Sequence, residues 1–209
     1  MTDVTAQSLR DLVATWGARV DQLRRAGDPE ALLAGASAAA DEIENRVGGR
    51  SQDEERQALT AVKRFTYNAA ADCWPGWSVP DKPPDTRILL VALELAQRSA
   101  RLVKELALGP LQEATANWLC GAFDLALGRR ADAARAFAIA QRLYTAADAP
   151  GLALLTEGYI AIVAQINGRQ ATAGAPDLKQ VVARIAADGF DDGAEWIEQL
   201  QTALKVFAR

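Results

Sequence analysis

Between Asn117 and Tyr144 the chain places small residues where two antiparallel helices must come close. Gly121 is followed seven residues later by Gly128, and Ala133, Phe137 and Ala140 then recur on one helical face. A glycine or alanine at a helix contact lets the neighbouring backbone approach closely, and an A-x3-F run supplies the large side chain that fills the facing space. A hairpin of this kind cannot bury its apolar face alone. The pattern therefore demands stacked neighbours and leaves a groove along the stack.

Composition agrees with an all-helical chain. Half of the 209 residues are hydrophobic, alanine is prominent, and only 6% are aromatic. Runs of Val, Ile and Thr alternating with polar residues are absent, so no sheet is expected. The formal charge of −4 gives a weakly acidic surface that neutralises phosphates poorly, and no nucleic-acid partner is expected. Arg24-Arg25 and Arg129-Arg130 read as solvated helix ends. The sequence has no histidine, which removes the side chain that titrates nearest neutral pH and the usual Ser-His, Cys-His and metal-water mechanisms. The chain is read as a non-enzyme with no cofactor and no metal. Cys73 and Cys120 stand 47 residues apart in apolar helical contexts and read as buried, reduced thiols. The amino-terminal stretch threads charges through its apolar positions, and no window is long and apolar enough to span a membrane. A cytoplasmic protein without a membrane partner is expected.

The apolar spacing divides the chain into helices. Leu9, Leu12, Val13, Trp16, Val20 and Leu23 form one stripe ending near Gly27. Asp28 caps a second helix with Pro29 in its first turn, and Gly48-Gly49 stop it. These make an N-terminal hairpin over 1–49. Ser51 and Glu54 form a capping box for a third helix, and Asp85 or Thr86 starts a fourth that runs to Leu108. Together they give a helix pair over 51–107. Its joint, Trp74 to Asp85, holds four prolines and a glycine in twelve residues, so it is read as non-helical. Helices at roughly 111–127 and 130–147 follow, then one from Pro150 to about Ile166 and one from about Pro176 to Ala187. Asp192 and Glu195 read as a further capping box, with a capping helix over 191–209.

An internal echo accompanies this pairing. Pro110 and Pro150 are 40 residues apart, as are Gly128 and Gly168. The string Gly128-Arg129-Arg130-Ala131-Asp132-Ala133 returns as Gly168-Arg169-Gln170-Ala171-Thr172-Ala173. The Asn117–Tyr144 unit resembles a tetratricopeptide repeat, closely over those residues and more loosely over 110–190. It departs from that family at Asn117, where a large aromatic is usual and Trp118 is displaced by one. It departs again at Asp124, where tyrosine is preferred, and in a spacing longer than the usual repeat of about 34 residues. The resemblance implies antiparallel helix pairs stacked as a short right-handed superhelix in one all-α domain. It also implies a concave groove lined by the first helix of each pair, which binds protein segments. Thr115, Trp118, Leu119, Ala122 and Leu125 would face that groove. None is cationic, so apolar and aromatic contact is expected rather than a clamp on a terminal carboxylate.

Two further places stand out. Trp74 and Trp77, held by prolines, offer rigid apolar surface with N–H donors, or else plug the end of the stack. Asp124 lies among apolar neighbours and needs a cation if buried, with Arg98 or Arg101 as candidates. Trp118 and Tyr159 are placed in the same groove. The carboxylates Asp41, Glu42, Glu44, Asp53, Glu54 and Glu55 point around different helix faces and read as solvated. The leading expectation is an interaction scaffold that binds a protein or peptide, or a second copy of itself, through the groove, with Trp118 accessible. The other is a small-molecule-binding regulator or helical enzyme with a closed pocket between the Trp74–Trp77 loop, Trp118 and Asp124.

Overall fold

The computed structural model describes residues 8–80, 82, 85–166 and 176–208. Among them are nine α-helices: α1 (Leu9–Ala26), α2 (Pro29–Val47), α3 (Gln52–Asp72), α4 (Thr86–Glu105), α5 (Pro110–Ala126), α6 (Arg130–Ala146), α7 (Pro150–Ile166), α8 (Leu178–Asp188) and α9 (Gly193–Phe207). A single 3₁₀ turn, Pro75–Trp77, interrupts the α3–α4 joint, where the proline content had argued against any helix.

Local chemistry sets most boundaries. Ser8, Asp28 and Ser51 each accept a backbone N–H in the first turn of the helix they precede, satisfying a donor that has no partner within the helix. The Ser51–Glu54 capping box is formed in both directions. The box expected at Asp192 is not: Asp192 has ψ of 9° instead of the extended value of a capping residue, and its side chain makes no capping bond. Pro110 and Pro150 both open helices. The echo of Gly128-Arg129 at Gly168-Arg169 lies outside the described residues.

Successive helices contact one another in order from α1 to α7, as tandem helix pairs do. Their directions follow from which residues meet. Gly121 faces Ala136 and Phe137, while Thr115 accepts a hydrogen bond from Tyr144, so α5 and α6 run antiparallel. Helices two apart run parallel. Glu30 reaches Arg87 and Asp41 reaches Arg98, each across 57 residues of sequence, aligning α2 with α4. Gly17 lies against Phe65, and Arg24 pairs with Asp72, aligning α1 with α3. The result is an all-α chain with repeat-like stacking.

Small residues permit the approach. A Cβ added at Gly121 would stand 3.1 Å from both Ala136 and Phe137, and Phe137 is fully buried. The same device joins α7 to α9, where Cβ atoms on Gly151 and Gly158 would meet the Trp196 ring at 2.5 Å and Leu200 at 2.6 Å. Gly121→Val is expected to destabilise the protein by about 1–3 kcal/mol through overpacking, with thermal denaturation as the readout. An unchanged midpoint would contradict the α5–α6 contact.

Candidate functional site

The α3–α4 joint turns inward immediately after α3. Trp74 takes an extended conformation (φ −75°, ψ 123°), and Pro75 starts the 3₁₀ turn that carries Trp77 back over it. Gly76 makes this possible, since a Cβ there would lie 2.2 Å from the Trp74 ring. Trp74 is buried, and its indole N–H donates to the Ala122 carbonyl of α5 at 3.1 Å. That carbonyl can accept outside its own helix because it has a second lone pair.

Around Trp74 the structure gathers the aromatic residues that the sequence had divided between a groove and a loop. Its ring centroid lies 4.9 Å from Trp77, 5.4 Å from Trp118, 5.8 Å from Tyr159 and 6.0 Å from Phe207. Trp118 and Tyr159 meet edge to face at 5.3 Å, and Tyr159 stacks on Phe137 at 5.2 Å. These are direct ring contacts. The rings expected to line a closed pocket with Asp124 thus lie in direct contact with one another. Clefts described elsewhere on the surface, such as one of about 300 Å³ beside Glu157 and Arg184, are not lined by Trp74, Trp77, Trp118 or Asp124.

The groove assignment needs correction as well. Trp118 is only 7% exposed, Leu125 3%, and Leu119 and Ala122 are fully buried, so these side chains face neighbouring helices and not an open surface. On α5 the glycine and alanine contact draws α6 in on one side, while Trp74 and Tyr159 cover the other. Tyr159 is wholly buried and accepts from Gln199 at 2.8 Å. Thr115 is partly exposed. Trp77 is the exception among the rings, at 48% exposure, with its indole N–H donating to the Ala71 carbonyl. Among the described residues, the Trp118 indole N–H is the one buried side-chain donor without an acceptor.

Asp124 has a different partner from those expected. Arg98 is held by Asp41 at 2.6 Å and Glu44 at 2.8 Å, and Arg101 also turns to Glu44. Asp124 instead lies 3.8 Å from Arg129, and its side chain is 13% exposed. Burial, then the nearby Asp132, raises its pKa against the lowering effect of Arg129. Burial also pushes the Cys120 thiol up to about 12 and Cys73 to about 11, and both cysteines are free. Such thiols are poor nucleophiles near neutral pH. Among the described residues, no three of His, Cys, Asp or Glu are grouped to hold a metal.

A polar cluster that the sequence reading missed lies beside this aromatic one. Lys63 of α3 donates to Gln112 of α5 at 2.7 Å, and its ammonium sits 5.3 Å from the Tyr67 ring centroid. Tyr144 donates to Thr115 at 3.1 Å, and Thr115 in turn donates to the Leu111 carbonyl. The i, i+4 spacing of Lys63 and Tyr67 was the available signal, but only the fold brings Gln112 and Tyr144 to them.

No family model, curated protein or solved structure matches this chain.

Two outcomes test the site's construction. Trp118→Ala is expected to cost about 3–5 kcal/mol in urea denaturation, as for a core indole. Trp118→Phe should cost much less, because it removes the unsatisfied donor along with the lost volume. For Asp124, a pKa raised by folding means that ionisation opposes the folded state: the associated stability is present below the unfolded carboxylate pKa and is lost as pH rises through the folded value. Asp124→Asn should therefore raise the melting temperature at pH 7 and leave it nearly unchanged at pH 3. A lowered midpoint at pH 7 would mean that the Arg129 pair outweighs the cost of burying the charge.

Proposed function

We propose that the chain is a protein-interaction scaffold or adaptor, a divergent tetratricopeptide-like stack with the right-handed superhelical form of that family. It binds a protein segment, or a second copy of itself, along its helical surface, and it needs no catalysis. Tandem helix pairs expose long grooves between parallel neighbours, which favours binding of extended segments. The missing histidines and the raised thiol pKa values fit a role without acid–base or thiolate chemistry. The acidic balance disfavours nucleic acid. Among the described residues no helix is long and apolar enough to cross a membrane, and the reading places the protein in the cytoplasm without a membrane partner.

The observation that carries this reading is Trp77. An indole that is half exposed, backed by buried aromatic rings and held between Pro75 and Pro80, is pre-organised apolar surface. Little side-chain entropy remains to be lost when a partner covers it. Val79, two residues on, is 45% exposed as well. Tryptophan in such a setting dominates many interfaces.

Trp77→Ala should weaken capture of partners on immobilised protein, or self-association seen by light scattering, by about tenfold or more. Its melting temperature should stay close to that of the parent. Retained capture and an unchanged association state in the variant would remove the basis for the reading.

A further inference from the structure

We infer that a second copy of this chain docks on the outer face shared by α2 and α4, with the two α4 helices antiparallel about a two-fold axis between Leu90 and Val91. This rests on the scaffold reading above, names one partner for it, and uses no residue of the Trp77 patch. α2 and α4 are in contact, and a cleft of about 180 Å³ opens to the surface between them. Leu33, Ala34, Ile88 and Val91 form its apolar walls, and Glu30 and Arg87 complete the lining. On the same helix Leu90 is 37% exposed. One exposed leucine is ordinary on a protein surface. The charges on either side of it set this one apart.

Arg87, Leu90, Val91 and Glu94 follow the three- and four-residue spacing of one helical face, and both charged residues are exposed. Seven residues separate the two charges by about 10 Å along the helix, too far to pair with each other. Among the described residues Glu94 forms no ion pair, and Arg87 reaches Glu30 and Asp85 only at 3.5 and 3.8 Å with its side chain 69% exposed. Antiparallel α4 helices centred between Leu90 and Val91 set Arg87 of each copy opposite Glu94 of the other. The two-fold axis forms both pairs at once, because such a contact is reciprocal. Parallel helices would instead set like charge against like charge. Between the two pairs, Leu90 and Val91 meet their counterparts beside the apolar cleft. α2 runs level with α4, as the Glu30–Arg87 and Asp41–Arg98 contacts show, and at this height it presents Ala34, Ser37 and Ala38, small enough to let the copies close. The face is thus complementary to itself in charge as well as in apolar surface. The matched stretch of α4 is only about two turns long, so the dimer belongs to the small-interface class and associates at micromolar concentrations.

Sedimentation velocity of the full chain, over about 5 to 500 μM, tests this. The parent should pass from monomer to dimer across that range. Leu90→Glu should weaken association by about tenfold or more, while Leu111→Glu, at an exposed leucine of α5, should leave it unchanged. Arg87→Glu and Glu94→Arg should each weaken it about three- to tenfold, because each sets like charges together. An equimolar mixture of those two variants restores both opposite-charge pairs, and it should dimerise more strongly than either variant alone. A folding defect in one variant would not produce that recovery. A parent that stays monomeric, a dimer that survives Leu90→Glu, or a mixture no stronger than its components would overturn the α4 contact. The scaffold reading then still stands if partner capture depends on Trp77, and both fail if capture is also insensitive to Trp77→Ala.

Discussion

The close approach of α5 and α6 at Gly121 governs the interior of this molecule. With no side chain there, the Phe137 ring can lie against the α5 backbone, and its far face is free to stack on Tyr159 of α7. Tyr159 then contacts Trp118, and Trp118 contacts Trp74. A continuous line of ring contacts thus runs from a hairpin of two helices, through a third, to the loop that follows α3. Cores packed at crystal density transmit such dependencies, so a shift of one ring displaces the next.

That line also explains how the segment from Trp74 to Trp77 is held after α3. A proline-rich segment has few backbone donors with which to secure itself. Here an indole supplies the anchor by donating to the Ala122 carbonyl and burying its ring among four aromatic neighbours. Once Trp74 is fixed, Pro75 and Gly76 leave Trp77 at the surface. The same few residues therefore serve as a plug and present an exposed ring. The two readings of this loop describe two different tryptophans.

Electrostatics works on the outside of the stack. Arg98 bridges Asp41 and Glu44, and the Glu30–Arg87 pair repeats that register at the other end of α2 and α4. The exposed pairs contribute little each, and Arg98, at 16% exposure, is the better shielded one. Their value is in fixing which turn of α4 meets which turn of α2. Lys63 differs because its neighbours are the Gln112 amide and the Tyr67 ring, and no ion pair forms with it among the described residues.

Helix number, helix ends and the α5–α6 contact were legible in the sequence because they depend on local chemistry: caps, prolines at first turns, glycine after a helix end, and apolar spacing at the helical period. The choice of Trp74, Trp77, Trp118 and Tyr159 as a related set was legible only as composition. Which of them faces solvent was not, and Trp118 was misjudged because periodicity shows that a face is apolar without showing what covers it. Asp124 drew the wrong partner for the same reason, since the arginines of α4 were already taken by α2, a long-range pairing that no local pattern reports. Gly151 and Gly158 look like ordinary helix interruptions until α9 is seen lying against them. Local propensity thus set the elements of this protein, while the exposed Trp77 ring and, among the described residues, the Trp118 indole donor without an acceptor arose only from how those elements cover one another, because burial is a property of contacts between segments far apart in the chain.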